Sequence, residues 1–169
     1  MQSTNPRVSK KITLLGSHAV GKTSLSARFA EGKFPENYAT QIGLKVDKKT
    51  IILDSRQLDL LIWDIASHDD PRHLPPYYLD GCHGYLFVID LTRPATYQKL
   101  SQELKQVQQL MPGIPHLVVG NKLDLLDAKA KSKLERKLGD TLDAWVSAQT
   151  GHGVTEVFGS LARRLDGAA

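Results

Sequence analysis

Cysteine occurs only once in this chain, at Cys82, so no internal disulfide can form and no thiolate cluster can hold a metal. A reducing compartment is the simplest setting for such a sequence. No apolar run approaches the roughly 20 residues that cross a bilayer as a helix, and the opening Met1-Gln2-Ser3-Thr4-Asn5-Pro6 lacks the apolar centre of a signal peptide. A cytoplasmic protein is the expectation. Internal repeats, low-complexity tracts and dividing linkers are also missing, which leaves one domain over 1–169. Cys82 stands close to apolar Tyr85 and Leu86 and reads as a packed thiol rather than a nucleophile. His73, His83, His116 and His152 are scattered without ligand spacing and read as core or surface histidines.

Hydrophobic residues make up 41% of the 169 and charged residues 24%, an ordinary soluble balance with length enough for a sizeable core. The formal net charge of +4 suits nucleic acid, an anionic membrane or a nucleotide, and does not choose among them. The densest basic stretch, residues 129–137, carries no interleaved aromatic residue, which argues against single-stranded nucleic acid. It reads as the solvated face of a helix, and no nucleic-acid partner is expected.

Strand and helix patterns alternate along the chain. Apolar or alternating runs at 11–15, 44–53, 58–63, 85–90, 116–120 and 143–146 read as strands. Leu100, Leu104, Val107 and Met111 recur at helical spacing, as do Val154, Val157, Phe158, Leu161 and Leu165. Asp54-Ser55-Arg56-Gln57 is too short for a crossover helix, so the second and third strands form an antiparallel hairpin. A mostly parallel α/β sheet follows, with ligands at the C-terminal ends of its parallel strands.

One such end carries Gly16-Ser17-His18-Ala19-Val20-Gly21-Lys22-Thr23, which fits G-x-x-x-x-G-K-[ST]. An apolar strand precedes it and an amphipathic helix, with Leu25 and Phe29 on one face, follows. Successive backbone N–H groups of such a loop curl around phosphates, the helix N-terminus adds partial positive charge, Lys22 reaches the outer phosphates and the Thr23 hydroxyl ligates Mg²⁺. Asn121-Lys122-Leu123-Asp124 ends the apolar run before it, at another strand end. The Asp124 carboxylate can accept from the N1–H and exocyclic amino group of guanine, a donor pair that adenine lacks. Asn121 would brace neighbouring loops and the stem of Lys122 would cover one face of the base.

With Gly16 to Thr23, Trp63-Asp64-Ile65-Ala66, Asn121 to Asp124 and Ser147-Ala148-Gln149-Thr150-Gly151 in place, the chain resembles the Ras superfamily of small GTPases, and within it the Rab-like members, over nearly its whole length. The resemblance implies a P-loop NTPase fold: a six-stranded, mostly parallel sheet with the second strand antiparallel and helices on both faces. It implies GTP and GDP as ligands, Asp64 acting on Mg²⁺ through a water, Ala148 offering its N–H to the guanine oxygen and Phe34 packing edge-on against the base. Ser24, Ser147 and Gln149 complete the implied nucleotide contacts. Effector and regulatory proteins would meet the residues around Gln41 and His68.

The departures bear on the chemistry. Where the family places a Mg²⁺-ligating threonine, ungapped counting gives Gln41, with Thr40 adjacent; either an amide oxygen or a shifted hydroxyl is then the ligand. Asp64-Ile65-Ala66-Ser67-His68 replaces Asp-x-x-Gly-Gln, losing the glycine that meets the γ-phosphate and the glutamine that positions water. Lys22 and His68 are the catalytic candidates, and intrinsic hydrolysis is expected to be slow. Pro71, Pro75 and Pro76 imply an irregular second switch. His18 either crowds an incoming catalytic arginine or points to solvent. No cysteine stands near the C-terminus for prenylation, so no direct membrane anchor is expected in this chain. The reading is a monomeric, slowly hydrolysing guanine-nucleotide switch. Its rivals are a pseudo-GTPase scaffold that keeps nucleotide without turnover, and a phosphate-loop kinase, which would need an arginine-rich lid.

Overall fold

The computed structural model describes residues 7–35, 43–54, 56–65 and 71–167. Six strands, β1 (Arg7–Leu15), β2 (Leu44–Leu53), β3 (Arg56–Ile65), β4 (Gly84–Asp90), β5 (His116–Asn121) and β6 (Ala144–Trp145), form one sheet in the order β2-β3-β1-β4-β5-β6. Only β2 and β3 are antiparallel, in register from Leu44 opposite Ile65 to Leu53 opposite Arg56. The fold is that of a Ras-like P-loop protein. It comprises five α-helices among the described residues: α1 (Lys22–Glu31), α2 (Pro76–Leu79), α3 (Leu100–Leu110), α4 (Ala128–Leu138) and α5 (Val154–Gly167).

The period of two along each strand sorts side chains into two cores, one on each face of the sheet. Ile12, Leu14, Leu58, Leu60, Ile62, Leu86, Val88, Leu117 and Val119 pack with Leu25 and Phe29 of α1 and with the apolar stripe of α5. Phe29 and Phe158 stack at 4.1 Å between centroids and join these helices. Leu15, Ile65, Tyr85, Phe87, Ile89 and Val118 face the other way, toward Tyr78 of α2, Val107 of α3 and Leu134 and Leu138 of α4. On α4 the lysines and arginine of 129–137 are outside this contact, and the Asp127 carboxylate caps the helix by accepting from Ala130 N–H at 2.7 Å.

Strand boundaries differ from the sequence pattern most at β1, β3 and β6. β1 starts at Arg7 and β3 at Arg56, because polar pairs lengthen the strands beyond their apolar runs. Asp59 accepts from Arg7 Nε at 2.8 Å and Thr50 Oγ1 at 2.7 Å, and Lys48 Nζ lies 2.8 Å away. These partners, Arg7 foremost, hold the Asp59 carboxyl well below its usual range. Arg56 and Gln57 are therefore ladder residues rather than part of the turn. β6 is only Ala144–Trp145, although Asp143 and Val146 N–H still bond the carbonyls of Val118 and Gly120.

The proline-containing segment is short and irregular: a 3₁₀ turn at Pro71–His73 and the one-turn α2. Pro76 opens α2, where its missing N–H costs nothing. Tyr78 is fully buried, and its hydroxyl shares one proton between the carbonyls of Leu14 at 2.8 Å and Trp63 at 2.7 Å. Lys11 Nζ donates to the carbonyls of Tyr77 and Asp80 and lies 3.8 Å from the Trp63 ring centre. Cys82 is buried, with its thiol donating to the Gly84 carbonyl. Among the described residues no helix is long and apolar enough to cross a membrane.

Candidate functional site

The phosphate loop leaves β1 through two glycines that no other residue could replace without displacement. Gly16 has φ 133°, and a Cβ there would sit 2.1 Å from the Val88 carbonyl oxygen; Gly21 has φ 100°, and its Cβ would fall 2.2 Å from Asn121 Nδ2. Between them Ala19 adopts φ 59°, a left-handed conformation in a non-glycine residue. Ser17 is half-buried, His18 and Ala19 are exposed, and Val20 is fully buried beneath the loop. The side chain of Lys22 turns back into the loop, donating to the carbonyls of Gly16 at 2.7 Å and Ser17 at 3.0 Å. α1 begins with no side-chain cap and no acidic residue in its first turn, and its first intrahelical bond is Leu25 N–H to Gly21 O. The positive end of its dipole thus faces the loop with no carboxylate from its own first turn to compensate it.

Beside the loop, Thr23 Oγ1 donates to Asp64 Oδ2 at 2.5 Å. The other carboxylate oxygen, Asp64 Oδ1, is buried and has no hydrogen-bond partner. Burial pushes this carboxyl upward, opposed by the Thr23 hydrogen bond and the Lys22 charge. A buried oxygen of this kind next to a hydroxyl suits a hard cation or its water shell. Among the described residues no group of three or more His, Cys, Asp or Glu could hold a metal. Mg²⁺ fits this corner because it commonly takes one or two protein ligands and completes its shell with water and phosphate. Thr40, Gln41, Ser67 and His68 lie outside the described residues.

At the other end a cavity of about 120 Å³ is bordered by Phe34, Ser24, Asn121, Lys122, Asp124, Ala148 and Gln149. Asn121 ties three loops together: Nδ2 donates to Val20 O at 3.0 Å and Oδ1 accepts from Ala148 N–H at 3.1 Å. The Ala148 N–H is thus engaged, and meeting a guanine oxygen requires sharing or exchanging that bond. Asp124 is exposed rather than buried, with Oδ1 accepting from Ser147 Oγ at 2.6 Å and so oriented by it. Lys122, at φ 68°, extends Nζ to the Ala19 carbonyl at 3.0 Å and to Asp90 at 2.7 Å. The structure therefore brings Lys22, Thr23 and Asp64 to one end of a rim and Phe34, Asn121, Asp124, Ser147, Ala148 and Gln149 to the other.

Against known proteins, the family model described as the Ras family matches residues 11–166. The chain belongs to the Ras family. Ras-related protein RabG2 of Dictyostelium discoideum is 34% identical over 160 residues, covering 92% of this chain and 81% of that protein. Rab-1C of the same organism is 32% identical over 157 residues, 90% of this chain and 78% of that protein. GTP-binding protein ypt1 of Schizosaccharomyces pombe is 29% identical over 160 residues, 92% and 79% of the two chains. This is a Rab-like small GTPase.

Three contributors to the site of this GTPase escaped sequence reading. Arg28, in the last turn of α1, donates through Nε to Ala148 O at 2.8 Å and through Nη2 to Gln149 O at 2.5 Å. No local pattern marks it, since its partners lie some 120 residues away. Asp90 and Arg93 are the others. Asp90 ends β4 opposite Asn121, so the rule of polar residues at parallel strand ends could have found it.

Proposed function

We propose that this small GTPase is a guanine-nucleotide switch that binds GTP and GDP with Mg²⁺ and hydrolyses GTP slowly. The observation that carries the reading is the direct link between the two ends of the site: Asn121 and Lys122 hold the carbonyls of Val20 and Ala19, inside the phosphate loop. A base held by Asp124 is thereby set at a fixed reach from phosphates held by the loop. A relative named for GTP binding supports the same reading.

In this proposal the Asp124 carboxylate, oriented by Ser147, accepts from guanine N1–H and the exocyclic amino group, while Phe34 and the stem of Lys122 flank the ring. The loop amides and the α1 N-terminus receive the phosphates, and Lys22 exchanges its two carbonyl partners for outer phosphate oxygens. Thr23 directly, and Asp64 through a water, would hold Mg²⁺, which neutralises charge on the phosphates. Lys22 and the loop N–H groups then stabilise charge that develops as water attacks in line. Ser67 and His68 stand where a glycine and a glutamine would sense the γ-phosphate and position that water, so turnover is slow. The 1–169 chain acts as one monomeric cytoplasmic G domain, with effector and regulator contacts around Gln41 and His68.

Displacement of a fluorescent GDP by GTP, GDP, ATP and ADP tests the binding half: only guanine nucleotides should compete at comparable concentrations. Single-turnover GTP hydrolysis tests the other half. Measurable slow hydrolysis supports the switch, and none over many hours supports a nucleotide-retaining pseudo-GTPase, the reading that the Ser67 and His68 substitutions favour second.

A further inference from the structure

Ala19 and Lys122 are the only non-glycine residues with positive φ among the described residues, and they touch: Lys122 Nζ donates to Ala19 O at 3.0 Å. The preceding carbonyl, His18 O, accepts from Arg93 Nη2. Both peptide planes flanking the strained Ala19 are therefore held by cations from outside the loop. The two cations converge on one carboxylate. Asp90 Oδ2 lies 2.7 Å from Lys122 Nζ and 3.8 Å from Arg93 Nε, and the Asp90 side chain is only 3% exposed.

Asp90 is itself fixed. Its Oδ1 accepts from Thr92 N–H at 2.9 Å and Thr92 Oγ1 at 2.6 Å, and its backbone N–H donates to Thr96 Oγ1 at 3.0 Å. Burial opposes its charge, but hydrogen bonds from Lys122 and Thr92 outweigh this and keep the carboxyl below its ordinary range. Arg93 precedes Pro94, which opens a 3₁₀ turn, and the Arg93 carbonyl accepts from Thr96 Oγ1 at 2.8 Å. The guanidinium thus leaves a braced backbone.

In a trans peptide the C=O and the following N–H point opposite ways. Holding His18 O and Ala19 O outward turns the N–H groups of Ala19 and Val20 toward the concave side of the loop, where an anion would sit. We propose that Arg93 is a positioning residue for the β-phosphate, acting with Lys122 through their shared partner Asp90 to keep these two amides aimed inward. The proposal rests on the nucleotide-binding reading and adds a residue that does not touch nucleotide. Lys122 cannot substitute for Arg93, because it reaches the other carbonyl. The backbone strain at Ala19, at φ 59°, is what the loop would relax once Arg93 is removed.

The test compares wild type, Arg93→Ala and Arg93→Lys for release of fluorescent GDP, and for GDP and GMP affinity by competition. Arg93→Ala should release GDP about five- to ten-fold faster, the size of one charge-assisted hydrogen bond in a partly exposed setting. GMP has no β-phosphate, so its affinity should stay within about two-fold. Arg93→Lys, which keeps the charge and a donor, should recover at least half of the lost retention on a logarithmic scale. Unchanged GDP release in Arg93→Ala would overturn the proposal, as would equal losses for GDP and GMP, which would mark a general loosening of the fold. A wild-type chain that holds neither nucleotide would instead overturn the nucleotide reading, and the role of Arg93 with it.

Discussion

Two glycines at opposite ends of the α1 region allow backbone strain to be separated from steric exclusion. Gly32 caps α1 with φ 71°, and nothing lies within 4 Å of where its Cβ would be. Alanine there meets only the left-handed backbone penalty, about 1–2 kcal/mol. Gly16, at φ 133°, lies beyond the left-handed well and carries at least that penalty together with a clash: its Cβ would lie 2.1 Å from Val88 O and 3.3 Å from Val20 Cγ2. Val88 is fully buried in β4, which is flanked by β1 and β5, so its carbonyl cannot retreat without moving the sheet. Overpacking of this kind adds about 1–3 kcal/mol, giving roughly 2–5 kcal/mol for Gly16→Ala in all. Urea unfolding of both variants, with unchanged denaturant slopes, should show the Gly16 substitution costing at least about 1 kcal/mol more than the Gly32 one. GDP affinity should fall sharply for Gly16→Ala and little for Gly32→Ala. Equal costs within about 0.5 kcal/mol, the size of an ordinary surface substitution, would refute the steric argument.

Asp124→Asn should shift preference from guanine toward xanthine nucleotides, whose C2 carbonyl suits an amide donor; competition between GDP and the xanthine diphosphate reads this, and an unaltered guanine preference would count against the assignment. The double change Ser67→Gly with His68→Gln should raise single-turnover GTP hydrolysis about ten-fold or more, equivalent to about 1.4 kcal/mol of barrier, with each single change doing less; a wild-type rate already matching the double variant would point to His68 as an effective water-positioning group. His83 accepts from the Lys11 N–H at 3.0 Å through Nδ1, and burial together with the charges of Lys10 and Lys11 lowers its pKa. The unfolded chain then binds the proton more readily, so this contribution is complete above the ordinary histidine value of about 6.5 and is lost as pH falls through the depressed folded value. His83→Ala should therefore lessen the drop in urea midpoint between pH 7.5 and pH 5.5, and an identical drop in both proteins would show that another group is responsible.

What could be read from sequence was local in origin. The phosphate loop is eight consecutive residues, and the positive φ of Gly16 and Gly21 belongs to the turn they make, whereas the Val88 and Asn121 atoms that also exclude a side chain come from distant strands. The near-continuous apolar run Leu58 to Trp63, broken only by Asp59, announces a buried strand by its composition. The extra length of β1 and β3 was not legible, because Arg7 and Asp59 are 52 positions apart and neither looks like a strand signal by itself. Arg28 and Arg93 were missed for the same reason: each is an ordinary surface arginine until the fold carries it to a carbonyl on a distant loop. The exposure of Asp124 was also hidden, since the sequence identifies a carboxylate at a strand end without saying how much of the surrounding wall the protein supplies.

Helix α1 has a consequence for how nucleotide leaves. Its first residue, Lys22, lies in the phosphate loop, and Arg28, six positions later, grips the carbonyls of Ala148 and Gln149 at the base cavity. At 1.5 Å per residue these handles are about 9 Å apart on one rigid rod. A partner that tilted this rod would loosen the sugar-and-base end and the phosphate end in the same movement.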